Sequence, residues 1–295
     1  MEFRTKVNIP QAPFSIEPME RMLFVGSCFA DNMGKRFQEE QFQTVINPYG
    51  VMYNPASILH TVERIFTPSI APLPCSSLNS EDEKGVQPFN VAVLTLGTNH
   101  VYIEKATGKI VDNCQKRPQK LFDERELSVE ECADRLRKTI RLLREKNPQI
   151  NIILTLSPIR YAKYGYHESQ LSKATLLLSI EHVIGEVPQS PDGGAAGELC
   201  YFPAYELVLD ELRDYRFYQS DMLHPSPQAV DYIYERFADT FFSKATHCFI
   251  REWQPIKKAL AHRPFNPDSD EYKDFIKKTQ EKLRCFSEKY PNFAG

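Results

Sequence analysis

The sequence predicts an α/β fold with a mostly parallel sheet covered by helices on both faces. Three observations carry that prediction. Short apolar runs recur at 20–26, 89–97 and 149–160, continuous rather than alternating, as strands buried on both faces require. A helical pattern follows the runs, as in Phe29, Met33 and Phe37 at a spacing of four. The two patterns alternate along the chain, which favours crossover connections between parallel strands.

Taken in order, "ERMLFVG" (20–26) is a short buried strand ended by Gly26, and 29–40 is the helix after it. "FQTVINPYG" (42–50) is a second strand running into a Pro/Gly turn. "NPASILHTVERIF" then reads as a helix capped by Asn54, with Pro55 at its first position. Residues 67–88, rich in Pro, Ser and acids, read as a surface loop. "FNVAVLTLG" (89–97) is the clearest strand, and "HVYIEKATGKIVDNCQK" reads as a hairpin with a Thr-Gly turn on the sheet's rim. Ser128 and Glu131 form a capping box that opens a helix over 128–146. "NINIILTLSPIR" (149–160) is a further buried strand, and 167–184 a helix. "PQSPDGGAAGE" is a loop, "CYFPAYELVLDEL" a strand or helix, and 227–243 a helix beginning at Pro227.

Composition bounds the rest. The 295 residues suffice for one large domain or two small ones. A net charge of −3 gives no reason to expect nucleic acid or an anionic membrane as partner. No apolar run is long enough to span a bilayer, and "MEFRTKVNIP" contains no signal-peptide core, so the expected location is cytoplasmic. The seven cysteines are scattered and never spaced as CxxC, which argues against a disulfide framework or a zinc site. Most are expected to be buried small hydrophobes. No His and carboxylate cluster has metal-ligand spacing, and no cofactor is expected. The chain turns polar and lysine-rich after Trp253, which suggests a main domain over 1–250 and a helical extension over 251–295 packed on or beside it.

In parallel sheets of this kind, ligands bind at the carboxyl ends of the strands. "GSC", "PYG", "GTN" and "SPIR" all fall on that edge. Ser27 and Cys28 lie on a strand-to-helix turn, where helix amides favour negative charge and lower a thiol's pKa. The plain structural alternative is a helix entry with Ser27 as N-cap and Cys28 buried. Asp221 and His224, three apart before a helix, suit a carboxylate that orients an imidazole, and the imidazole would be general base for the nucleophile. A lone Asp-x-x-His is otherwise a cap beside a surface histidine. Gly50, by its backbone N–H, and Asn99, by its side-chain amide, are oxyanion donors by position, with the Cys28 amide as a third.

This order of nucleophile, Gly, Asn and a late Asp-x-x-His resembles the SGNH (GDSL-type) hydrolases. A more specific resemblance is to the GSCFA family within them. It rests on "GSCFA" (26–30), "NPYGVMYNP" (47–55), "LTLG" (94–97), "NCQK" (113–116), "LSPIR" (156–160) and "YFPAYELVLDELRDYRFYQSDMLHPS" (201–226). The resemblance implies a flavodoxin-like three-layer α/β/α sandwich and a hydrolase-type site. The chain departs from the general pattern at the nucleophile. Aligning Gly26 on the Gly of Gly-Asp-Ser places Ser27 on the Asp and Cys28 on the Ser, which favours Cys28 and leaves Ser27 as the alternative.

Asn113, Cys114 and Lys116 would extend the hairpin over such a site. Arg160 and Arg216 are candidates to hold a carboxylate or phosphate on the substrate, and Tyr215, with Phe217 and Tyr218, to stack on a flat face. Aromatic residues at that density are otherwise core. His100 is an alternative base to His224 unless it is a solvent-facing strand-end residue. The function expected is hydrolysis or transfer of an acyl group from an ester or thioester, O-acylated carbohydrates among them by analogy alone. The rival expectation is a small-molecule or glycan binding protein that keeps the pocket without turnover. Oligomeric state is not legible.

Overall fold

The computed structural model describes residues 4–67, 88–112, 114, 117–186, 196–291 and 293. Its centre is a five-stranded, wholly parallel sheet of β1 (Arg21–Gly26), β2 (Gln43–Ile46), β3 (Val91–Leu96), β7 (Asn151–Leu156) and β8 (Leu199–Phe202). The spatial order is β2-β1-β3-β7-β8. Numbered within this sheet alone, that is 2-1-3-4-5, the flavodoxin-like order, whose direction reverses between β1 and β3. Ligand sites of this fold lie at that reversal, and residues 26–28 stand there.

Alternation along each strand divides the core into two layers. Leu23, Val25, Ala92, Leu94, Leu96, Ile152 and Leu154 face one side, against α2 (Pro55–Phe66), α3 (Val129–Lys146) and α4 (Tyr166–Glu186). Met22, Phe24, Val91, Val93 and Ile153 face the other, against α1 (Cys28–Glu39) and α6 (Pro227–Phe241). All six residues of β3 are buried, as their unbroken apolar run requires. The expected caps are present: Asn54 on α2 and the Ser128–Glu131 capping box on α3.

The hairpin differs from expectation in one respect. β4 (His100–Glu104) and β5 (Ile110–Val111) are joined by a third strand, β6 (Phe122–Glu126), in a separate antiparallel sheet ordered β5-β4-β6. "FDERE" buries only Phe122, so its sequence carries no strand pattern and it forms by pairing with β4. Most of the loop expected over 67–88, and the first part of that over 188–198, lie outside the described residues.

β8 leads through a short α5 (Ala204–Glu206) into a π-helical turn (Leu207–Leu212). The C-terminal part is α7 (Lys244–Leu260) and α8 (Asp270–Lys289), packed around Phe249, Trp253, Ile256 and Phe286. Residue 250 falls inside α7, so that helix begins before the boundary expected from composition. It docks on the end of α1: Trp253 Nε1 donates to Glu39 O (2.9 Å), and Lys257 Nζ reaches Glu40 (2.9 Å). Among the described residues no helix is long and apolar enough to cross a membrane.

Of the six described cysteines only Cys132 is fully buried, which corrects the expectation that most would be; Cys28, Cys114, Cys200 and Cys248 are half-buried and Cys285 is exposed. All six are free, and no group of three or more His, Cys, Asp or Glu among the described residues could hold a metal ion.

Candidate functional site

Gly26 ends β1 with φ +149°, and a Cβ there would meet Thr95 O at 2.1 Å, so the turn admits no side chain. Its amide donates to Asn47 Oδ1 (2.8 Å), and Asn47 Nδ2 donates to Asp31 on α1 (2.6 Å). Asn47 has φ +37°, a region Asn tolerates better than most residues. It therefore ties the end of β1, the turn after β2 and the first helix into one unit.

Ser27 and Cys28 have different environments. Ser27 is the N-cap of α1, accepting from Phe29 N (3.2 Å), while its hydroxyl donates to Ser157 Oγ (2.9 Å). It is 1% exposed, so both its hydrogen-bonding roles are internal. Cys28 is the first helical residue, half-buried, with its sulfur 3.7 Å from the Tyr53 hydroxyl. Its amide lies in the first turn, which has no acceptor within the helix.

The other two expected oxyanion donors are committed elsewhere. Gly50 N–H closes a turn onto Asn47 O (2.8 Å). Asn99 is 2% exposed, and its Nδ2 donates to Leu127 O (2.8 Å). The bond of the exposed Gly50 closes a turn, whereas the buried Asn99 amide takes an internal acceptor, as buried polar groups do. Of the three expected donors, the Cys28 amide alone has no internal acceptor among the described residues.

Asp221 and His224 form a pair. His224 Nδ1 lies 2.6 Å from Asp221 Oδ2, while Oδ1 accepts from Leu223 N (2.8 Å) and His224 N (3.0 Å). The His224 and Leu223 amides, then the imidazole, hold the Asp221 carboxyl down to about 2. A carboxylate partner on Nδ1 leaves Nε2 with the lone pair a base needs. Among the described residues His224 bonds through its ring to Asp221 and not to Cys28 or Ser27.

The loop after β7 joins the two halves. Ser157, its first residue, takes the Ser27 bond, and Arg160 donates through N to Leu223 O (3.1 Å) and through Nη1 to Met222 O (3.0 Å). The Gly26–Cys28 turn and the Asp-x-x-His turn thus dock on opposite ends of one four-residue segment.

Lys173 was not singled out by the sequence. Midway along α4 and 2% exposed, its Nζ donates to Gly97 O (2.8 Å) and Ser157 O (2.7 Å), joining the ends of β3 and β7. Burial lowers its pKa to about 7. Only an interrupted apolar face would have signalled it, and a lysine in a helix is ordinarily a solvent-facing residue.

Two clefts of about 410 Å³ each flank this edge. One is lined by Arg160, Tyr166, Tyr205, Arg213, Tyr215 and Tyr218. In it the Arg160 guanidinium lies 4.3 Å from the Tyr166 ring centre, 5.7 Å from Tyr215 and 5.6 Å from Tyr218. Arg216, expected beside it, instead pairs with Asp214 (2.9 Å) at the surface. The other cleft is lined by Tyr53, Asn54, His100, Cys114, Tyr161 and Tyr164, among others. His100 is buried rather than solvent-facing: it stacks on Tyr164 (3.9 Å) and lies 3.5 Å from Glu124. Asn113 and Lys116 lie outside the described residues.

No curated protein matches the chain. Solved structures similar to it include a carbohydrate esterase family 3 from Talaromyces cellulolyticus, with 9% identity, 75% of this chain and 95% of that one covered, and a TM-score of 0.39. An acetyl esterase variant crystallised with acetate ion shares 10% identity over 80% and 100% of the two chains, with a TM-score of 0.42. An acetyl xylan esterase from the rumen bacterium Butyrivibrio proteoclasticus shares 12% over 79% and 64%, with a TM-score of 0.35. These likenesses are too distant to bear on this chain's chemistry. Sequence comparison is decisive: residues 253–294 match the GSCFA domain protein, C-terminal domain, residues 21–72 and 75–237 match the GSCFA family, and the chain belongs to that family.

Proposed function

We propose that the protein hydrolyses or transfers the acyl group of an ester or thioester, through an acyl-enzyme on Cys28. The observation that carries this reading is the division of labour at residues 27 and 28. Ser27 accepts from the Phe29 amide and donates to Ser157, whereas Cys28 stands half-exposed at a helix start. A thiol there needs less help from a base than a hydroxyl does.

The steps are those of a thiol acyl transferase. His224, oriented by Asp221, takes the thiol proton as the sulfur attacks the carbonyl carbon. The C–S bond forms, and the Cys28 amide donates to the oxyanion. The carbonyl reforms as the alcohol or thiol leaves with the proton from His224. Water, or an acceptor alcohol, then gives its proton to His224, attacks the thioester and releases Cys28. His224 must approach Cys28 for this, a tightening that unliganded sites commonly need. Arg160 and its tyrosines stand against the Asp-x-x-His turn and suit the substrate's distal part. An O-acylated carbohydrate fits those ring faces; of the expected contacts, Tyr215 would supply one.

Turnover of short-chain aryl esters and thioesters by the wild type, Cys28→Ala and Ser27→Ala tests the reading. Loss of at least about a thousandfold in Cys28→Ala, with Ser27→Ala retaining activity, is expected. Turnover unchanged in Cys28→Ala overturns it. No turnover by the wild type, with saturable binding of acylated sugars, would favour the non-catalytic binding protein.

A further inference from the structure

We propose that the Tyr53 hydroxyl is a catalytic hydrogen-bond donor to the Cys28 sulfur, steadying the negative charge that develops on it as the thiol gives up its proton; this rests on the reading of Cys28 as nucleophile. Among the described residues, Tyr53 is the only polar side chain bonded to that sulfur, at 3.7 Å. His224, the expected partner, bonds through Nδ1 to Asp221 and makes no bond to the sulfur, and the amides of Gly50 and Asn99 donate to Asn47 O and Leu127 O.

The phenol is held in place from two directions. Tyr53 O accepts from both Gly97 N and Thr98 N, at 2.8 Å each, which pins its backbone across the end of β3. Its ring meets Tyr161 edge-on at 5.7 Å. The same ring lines the 410 Å³ cleft, so the sulfur's donor lies at the wall of a space able to admit a substrate.

A phenol can serve a sulfur as donor or as base, and the environment decides. Burial first, then the bond to Cys28, the sulfur's charge and Asp31 push the Tyr53 hydroxyl up to about 12. At neutral pH it keeps its proton, so it is no base for the thiol, and once the sulfur is charged the phenol is the donor of this pair. Besides Cys28, the titratable groups at this corner are Asp31, held by Asn47, then Tyr53 and Tyr161, with Tyr102 and Glu124 acting on Tyr161. Burial raises Tyr161 as well, so it too stays neutral.

The test is the pH profile of Cys28 alkylation by iodoacetamide, read by peptide mass spectrometry, in the wild type, Tyr53→Phe and Tyr53→Leu. A bond donated to a charged acceptor should move the apparent pKa upward by about one unit in both variants, slowing labelling about tenfold below it. Profiles that superimpose, or labelling that only accelerates at unchanged pKa, would overturn the proposal: the ring would then merely shield the sulfur. Ester turnover separates the two readings. A shifted profile in a protein without ester turnover keeps Tyr53 and removes the esterase; turnover through Cys28 with an unshifted profile does the reverse.

Discussion

The nucleophile turn and the Asp-x-x-His turn occupy one edge of the sheet but are held by opposite means. Residues 26–28 are fixed by buried bonds: Asn47 to the Gly26 amide, Ser157 to Ser27, and Lys173 to the two carbonyls beyond. Residues 221–224 lie near the surface, with Met222 at φ +59°, and are fixed by Asp221's bonds to its own turn and by Arg160. The first turn cannot move without breaking the core. The second is tied by bonds of exposed residues, so on the proposed reading it is the part that would have to move for His224 to reach the sulfur. The difference teaches that, on the proposed mechanism, the site is fixed at Cys28 and held from the surface at His224.

The largest effect that would sharpen this contrast is on rate. His224→Ala should lower ester turnover by about a hundred- to ten-thousandfold while leaving the melting temperature nearly unchanged, because its turn lies at the surface. A large loss of stability would mean the turn belongs to the core after all. Asn47→Ala should do the opposite first. It orphans the buried Gly26 amide and places Ala at a positive φ, so denaturant unfolding should show a loss of about 2–3 kcal/mol. A loss under about 0.5 kcal/mol, the range of neutral surface changes, would break the claim that Asn47 anchors the turn.

A third effect is a pH dependence. In the unfolded chain Lys173 titrates at its ordinary 10.5, and in the folded protein at about 7. Between those values the unfolded state binds more protons, so wild-type stability gains as pH rises from 7 to 10.5 and loses that gain as pH falls through 7. Lys173→Met lacks this term and leaves two carbonyls unpaired. Its melting temperature should fall further below the wild type's at about pH 10 than at about pH 6. A constant difference would mean that Lys173 keeps its charge throughout.

Much of the fold was legible because its signals are local and repeated. β3 is an uninterrupted apolar run, α3 carries a complete capping box, and Gly26 marks the end of β1. The strand β6 was not, since four of its five residues are charged and its pairing is supplied by β4. The site divides in the same way. Asp221 and His224 lie three residues apart, and their bond follows from that spacing. Gly50 and Asn99 stood at the right strand ends, but position along the chain does not say which acceptor is nearest in space. Tyr53 and Lys173 act through partners 25, 76 and 16 residues away, and no short pattern encodes those contacts.

The central claim is that Cys28, and not Ser27, carries the acyl group. The most direct measurement is peptide mass spectrometry of the protein quenched in acid during turnover of an activated thioester or aryl ester. An acyl adduct on Cys28, labile to hydroxylamine and absent from Cys28→Ala, is the predicted result. An adduct on Ser27, or undiminished turnover with none on either residue, would contradict it.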